Sequence, residues 1–521
     1  MPDIVLTTLN AKFIHAAFGL RYLFANLGDL QPRAVIAEFD INLRPLDIAE
    51  ALLAREPKII GFGVYIWNVE ETTEVVTAIK KIRPEIKIIL GGPEVSYETE
   101  GQKIVELADH VITGEADLKF AEVCRALVRV QASACSADTL KRELQLPKII
   151  AAELPEFSRL ALPYDFYTDA DIAHRIVYVE ASRGCPFTCE FCLSSLDIPV
   201  RQVPLDKFLA AMQKLLDRGL KQFKFVDRTF NLNIATSKTL LEFFLARHQP
   251  GNFYHFEMIP DRLPNELREV IAKFPPSSLQ FEVGVQTFNP EVGSLISRRQ
   301  NYERLADNFN FLRNATSVHI HADLIIGLPG ETLESFAAGF DKLIALGPQE
   351  IQVGILKRLR GTPIVRHDAE WQMIYNAHPP YEILQNRLID FAMMQRLRRF
   401  ARYWDLVGNS GNFIATAPLI WSNGASPFNN FLRFSNWLFA KINRTDSIAL
   451  ARLMELLFEF LTHELALDAK PVAETFWHDC RRTDRRDAPN FLKEFWPEEN
   501  RSVIRERDRS LPKRQSRHSA A

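Results

Sequence analysis

Ser182-Arg183-Gly184-Cys185-Pro186-Phe187-Thr188-Cys189-Glu190-Phe191-Cys192 is the stretch that decides how the rest of the chain reads. Three thiols stand at spacings of four and three, directly after a predicted strand, on a loop that Gly184 and Pro186 allow to fold back on itself. Six cysteines in 521 residues, with Cys124, Cys135 and Cys480 scattered, make a poor disulfide framework; the clustering points to a metal site in a reducing compartment. Thiolates are the usual protein ligands of iron-sulfur clusters, and three of them on a four-iron cluster leave one iron open for chemistry. A zinc site missing its fourth ligand is the competing reading, but a closed zinc set wants a further cysteine or histidine partner, and no such pair stands nearby. Three structural thiols are the remaining alternative.

Around this loop runs an alternation of short apolar segments and longer segments of helical period. Strands are expected at Ile176 to Val179, Phe223 to Val226, Tyr254 to Met258, Leu279 to Gly284, His319 to Ile326 and Ile351 to Gly354. Six such units in sequence predict a partial, TIM-like (β/α)6 barrel over residues 173–362, with reactive groups at the carboxyl ends of its strands. Ahead of it, residues 1–135 show the same alternation, with strands at Ile4 to Leu9, Val35 to Phe39, Ile59 to Val64, Ile86 to Leu90 and Val111 to Thr113. Helices are expected at Ala16 to Leu27, Glu70 to Lys81 and Leu118 to Val130. That pattern predicts a Rossmann-like, doubly wound parallel sheet whose ligands sit outside the strands' carboxyl ends.

Residues 136–172 lack a clear period and read as a linker, residues 363–498 as a mostly α-helical C-terminal domain, and residues 499–521, rich in Arg, Lys and Ser, as a disordered basic tail. The fold class is therefore α/β with a helical third part. With 47% hydrophobic and 25% charged residues and a net charge of -2, nothing pulls the whole chain toward nucleic acid or membrane. There is no charged leader and no uninterrupted apolar run of about 18 residues, so a soluble, cytoplasmic protein is expected.

Cys-x3-Cys-x2-Cys with Phe191 just before the last cysteine resembles the signature loop of radical S-adenosylmethionine (SAM) enzymes. The resemblance implies a 4Fe-4S cluster on Cys185, Cys189 and Cys192, with SAM chelating the open iron and cleaved to methionine and a 5'-deoxyadenosyl radical. It extends over roughly Arg175 to Gly354. Asp227 after the second strand, Glu257 at the end of the third, Gln286 after the fourth, Arg298 a dozen residues later and Asp323 before Gly327-Leu328-Pro329-Gly330 match positions that bind SAM in this family, as does Phe191. Arg228 stands where the family often has a second acid.

The first domain resembles the cobalamin-binding domain of one large branch of the same family. Asn10, Tyr65, Trp67, Gly91, Gly92 and Glu94, at three strand ends, are the implied corrinoid contacts. The Asp-x-His-x-x-Gly motif that gives other cobalamin proteins a cobalt ligand is absent, and His15 lacks its neighbours. The three extra N-terminal cysteines of methylthiotransferases are missing too. The resemblance implies a methyltransferase that carries a methyl group from methylcobalamin to an unactivated carbon of a small molecule. Oxidative cyclisation of the magnesium-protoporphyrin monomethyl ester cyclase type, and corrinoid and SAM sensing without turnover, are the alternatives. A flavodoxin or ferredoxin is the expected electron donor, and nucleic acid is not an expected partner.

Overall fold

The computed structural model describes residues 2–133, 146–424, 426–483, 490–495 and 512–519. Two parallel sheets of six strands dominate it. The first comprises β1 (Ile4–Asn10), β2 (Ala34–Asp40), β3 (Ile59–Gly63), β4 (Lys87–Gly91), β5 (His110–Thr113) and β6 (Ile149–Ala151), in the order β2-β1-β3-β4-β5-β6. Strand parity explains its two-sided burial. Val5 and Leu9 face the helices Pro45–Leu53 and Val69–Ile82, while Ile4 and Leu6 face Phe18–Ala25 and Lys119–Ser133. A strand buried on both faces reads as the near-continuous apolar run seen in β1. The order reverses between β1 and β3, which opens a crevice at their carboxyl ends.

Five strands were expected here and six are found. The sixth lies inside the segment read as a linker: Val111 pairs with Ile149 and Thr113 with Ala151. It is a three-residue edge strand with little burial, too short for a period to show. The second half of that segment is also built into the fold, since Tyr164 hydrogen-bonds both backbone groups of Glu180 and Tyr167 donates to Tyr178 O. Residues 136–145 of the expected linker lie outside the described residues.

The second sheet comprises β7 (Val177–Val179), then, beyond a small hairpin of β8 (Ser182–Arg183) and β9 (Arg201–Gln202), β10 (Gln222–Phe225), β11 (Phe253–Met258), β12 (Leu279–Gln286), β13 (His319–Ile326) and β14 (Glu350–Ile355). Its order, β14-β13-β12-β11-β10-β7, is sequential and does not close. Phe281, Val283 and Val285 turn outward to the helices, so Glu282, Gly284 and Gln286 line the inside.

The C-terminal helices share one continuous core with the barrel. Phe340 on the barrel helix Leu333–Leu346 packs edge-on against Trp404 at 4.8 Å, and Phe400 meets Phe428 at 4.9 Å. A short helix, Lys513–Ser519, lies within the segment expected to be a disordered tail, and its Arg514 pairs with buried Glu350. Charge pairing and not apolar burial holds it, which is why an apolar period gave no sign of it. Residues 499–511 and 520–521 lie outside the described residues.

Candidate functional site

The cysteine loop is pinned at its base by the β8-β9 hairpin and by Cys185 N donating to Asp197 O. Gly184 takes φ +95, and a Cβ there would stand 2.7 Å from Asp197 O and 2.9 Å from Pro199 O, so only glycine fits. Cys185, Cys189 and Cys192 are free thiols on the wall of one cavity of about 250 Å3. Among the described residues no three His, Cys, Asp or Glu side chains converge on a single-ion site.

The same wall holds Phe191, Glu257, Gln286, Arg298 and Asp323, five of the six residues matched to SAM contacts. Their positioning is local chemistry. The β12-β13 register shifts between Gly284 and Gln286, and Gln286 adopts a left-handed φ of +69, a bulge that re-aims its side chain. Gly284 leaves room for it: a Cβ there would meet Gln286 Nε2 at 2.6 Å and Arg298 Nη2 at 3.3 Å. Arg298 donates to Gly284 O and reaches Cys189 Sγ at 3.4 Å. Gln286 Oε1 and Arg298 Nε are buried without hydrogen-bond partners, a cost of about 1–3 kcal/mol each that a bound polar group relieves. Three thiols and unsatisfied polar groups of both signs on one wall suit a cluster with a chelated zwitterion.

Asp227 is the exception. Its carboxylate is buried against the end of β7, accepting from Ala181 N at 3.0 Å and Ser182 Oγ at 2.6 Å, and it is off the cavity wall. Burial pushes it up to about 7 against the pull of those bonds. Arg228 faces the cavity instead and binds both oxygens of Glu257, at 2.8 and 3.0 Å. The arginine that departs from the family pattern thus has its charge answered from the next strand.

Glu190, between the second and third cysteines, gave no signal in the sequence. It is 2% exposed, accepts from Ser297 Oγ at 2.7 Å, and pairs with His367 at 2.8 Å and with Arg366. An acid inside a loop that must be buried is the only cue the sequence offers. Through it the cysteine loop is anchored to both the Arg298 turn and the segment after the barrel.

A second cavity, of about 410 Å3, lies between the carboxyl ends of the first sheet and the barrel mouth. Tyr65, Gly91 and Gly92 line it with Gly61, Gly63 and Gly114. A Cβ on Gly91 would have only Ile112 O near, at 3.7 Å, so the backbone there is open to a ligand. Asn10, Trp67 and Glu94 are not on its wall. Asn10 is held by Glu38 at 3.0 Å; Trp67 stacks outside on Tyr65 at 4.4 Å; Glu94 is bound by Arg360 at 2.7 Å and Tyr381 at 2.6 Å. Glu94 therefore latches the first domain to the segment after the barrel. Among the described residues no histidine lines this cavity, and His15 pairs with Tyr178 at 2.6 Å. The glycine-rich, largely apolar cradle suits a large flat ligand such as a corrinoid.

The cavities share one residue, Arg228. Arg183 of the cysteine motif, in the second cavity, is bound by Glu115 at 2.7 Å, Asp117 at 2.9 Å and Glu180 at 2.6 Å, clamping the two domains together.

Residues 179–343 match the family model described as the radical SAM superfamily, and residues 4–124 match the B12 binding domain. A segment similar to the radical SAM superfamily thus follows one similar to the B12 binding domain. The radical SAM domain implies a 4Fe-4S cluster and SAM, and the B12-binding domain implies cobalamin. Residues 369–519 match a further model described as a protein of unknown function, DUF4080. An uncharacterized methyltransferase of Pyrococcus horikoshii is 26% identical, covering 61% of this chain and 71% of its own. A cobalamin-dependent radical SAM methyltransferase, TokK, of Streptomyces tokunonensis is 23% identical over 58% of this chain, which spans 47% of that protein. The solved radical SAM methyltransferase TsrM of Kitasatospora setae, with cobalamin and a [4Fe-4S] cluster bound, superposes with a TM-score of 0.55 at 18% identity, covering 73% of this chain and 82% of its own. Among the described residues no helix is long and apolar enough to cross a membrane.

Proposed function

We propose that this radical SAM protein is a cobalamin-dependent methyltransferase that methylates an unactivated carbon of a small molecule. The observation that carries this reading is the shared wall: the thiol cavity and the glycine-lined cavity of the B12 domain meet at Arg228. When bound, the cluster with SAM supplies a 5'-deoxyadenosyl radical, and cobalamin supplies the methyl group. Cys185, Cys189 and Cys192 hold the cluster. Glu257, Gln286, Arg298, Asp323 and Phe191 would hold SAM, and Tyr65, Gly91 and Gly92 would hold the corrinoid.

A third cavity, of about 610 Å3, opens along the free edge of β14 and shares Phe191, Gln286 and Asp323 with the thiol cavity. Arg398, Arg402 and Asp405 of the helix Phe391–Val407 line its far side. The substrate binds there, and the helix keeps bulk water from the reacting carbon. A flavodoxin or ferredoxin as reductant, a cytoplasmic setting and the absence of a nucleic-acid partner belong to the same reading.

The test is anaerobic reconstitution with iron, sulfide and cobalamin, then SAM, a strong reductant and a cell-extract substrate pool, with 5'-deoxyadenosine and S-adenosylhomocysteine quantified by mass spectrometry. Both products rising together are expected. Deoxyadenosine alone points to cyclisation or rearrangement, and neither product from cluster-replete protein leaves a binding role.

A further inference from the structure

The foot of the barrel, opposite the cysteines, is closed by the chain's own C-terminal helix. Arg514 pairs with Glu350 and with Asp405, each at 3.0 Å, and Gln515 donates to Gln280 at 2.7 Å. His518 bonds Asn409 O at 3.0 Å and sets its ring edge-on to His319 at 5.2 Å. Gln280, His319 and Glu350 occupy the first two positions of β12, β13 and β14.

From that foot a line of ionisable side chains climbs the inside of the sheet. His319 Nε2 meets Glu350 Oε1 at 2.9 Å, Glu350 Oε2 stands 3.7 Å from His321 Nδ1, and His321 Nε2 stands 3.4 Å from Asp323 Oδ1. Asp323 is on the wall of the thiol cavity. Barrel interiors are ordinarily layered with Val, Ile and Leu, and a buried ionic chain costs desolvation that only mutual pairing offsets. Its position between a stopper and a reactive cavity calls for a role.

We propose that Arg514, Glu350 and His321 are positioning residues: the C-terminal helix, acting through them, holds Asp323 as an oriented carboxylate on the cavity wall. That Asp323 meets SAM rests on the function proposed above; the chain itself does not.

Burial disfavours a charged His321, yet Asp323, Glu350 and Glu282 outweigh it and lift the imidazole to about 9. Burial likewise opposes ionised Glu350, and His319, His321 and Arg514 bring it down to about 2. Asp323 is raised by burial and by Glu282, with His321 and Arg298 pulling it back. Further charged groups act on Glu282: Lys224 and His255 from β10 and β11, and the Glu257–Arg228 pair beside them. A charged His321 thus opposes the burial that raises Asp323, and favours its carboxylate form.

The experiment is NMR of histidine-labelled full-length protein, before any cofactor is added, with the His321 ring signal assigned by its loss in His321→Gln. The wild-type midpoint is expected near 9. Glu350→Gln should lower it by about 1–3 pH units, the effect of removing one close opposite charge. Arg514→Gln should raise it and Arg514→Lys restore it, which keeps the test alive where Glu350→Gln fails to fold. A midpoint in the ordinary histidine range, unmoved by these changes, overturns the proposal. Equilibrium dialysis of labelled SAM with reconstituted variants separates the two readings: a displaced midpoint with weaker SAM binding supports both, whereas a displaced midpoint with unchanged SAM binding upholds the chain and removes Asp323 from the SAM site.

Discussion

The two sheets have the same strand count and the same parallel sense, yet they handle their inner surfaces in opposite ways. The first is apolar on both faces, so its chemistry is confined to the carboxyl ends of its strands, where Gly91 leaves backbone bare. The second is apolar on one face only; its other face carries Glu257, Glu282, Gln286, His321 and Asp323 along whole strands. A two-sided core can cradle a ligand at its rim and nothing more. An open barrel places ionisable groups beneath its ligand as well, which suits a site that must hold a charged amino acid and a cluster together.

The sharpest way to break this comparison is to ask whether the two sites fail separately. Cys189→Ala removes one of three thiols from the barrel cavity and touches nothing in the first sheet. Deoxyadenosine formation is expected to fall to the no-enzyme background and cluster absorbance to be lost, while cobalamin retained after gel filtration stays at the wild-type level. Surviving SAM cleavage would sink the assignment of the cluster.

A smaller effect tests the cost of burying acids in the second sheet. Asp227 is raised to about 7 in the folded protein from 3.8. Between those values the folded state binds the proton and the unfolded state does not, so its contribution to stability is fully present at low pH and is lost as pH rises toward 7. Asp227→Asn removes that dependence and keeps an acceptor for Ala181 N. The variant's Tm should therefore gain on the wild type as pH climbs from about 4 to about 7, a gain equivalent to at most about 4 kcal/mol of unfolding free energy. A constant difference between the two Tm curves would mean that Asp227 titrates normally.

Legibility in the sequence follows the same division. Strands of the first sheet and the cysteine loop stood out because burial on both faces and thiol clustering are local signals. Gln286, Arg298 and Asp323 could be named because their surroundings resemble the SAM-contact motifs of a known family, and the structure brings them onto one cavity wall. Glu190, Gly284 and Arg514 could not, because their partners lie 107, 14 and 164 residues away in the chain and no period connects them. Asp227, Asn10, Trp67 and Glu94 lie off the cavity walls for a related reason: position at a strand end says that a side chain is near a mouth, and the competing contact decides whether it faces in. Strand β6 was missed because three residues on an edge hold too little apolar surface to form a pattern.

The smallest change goes to the rim of the first sheet. Gly91 ends β4 on the wall of the glycine-lined cavity, and a Cβ there meets only Ile112 O at 3.7 Å, so alanine should be tolerated by fold and ligand alike. Leucine adds three further carbons with nowhere to go but the cavity. Gly91→Leu is expected to weaken cobalamin retention by about tenfold, or about 1.4 kcal/mol, with iron content and deoxyadenosine formation unchanged and Gly91→Ala close to wild type. Gly92 offers no such test, because its φ of +110 and a Cβ 2.4 Å from Val64 O would damage the turn itself. If Gly91→Leu leaves cobalamin binding intact, the corrinoid does not lie over β4, and confinement of the first sheet's chemistry to its glycine rim fails with it.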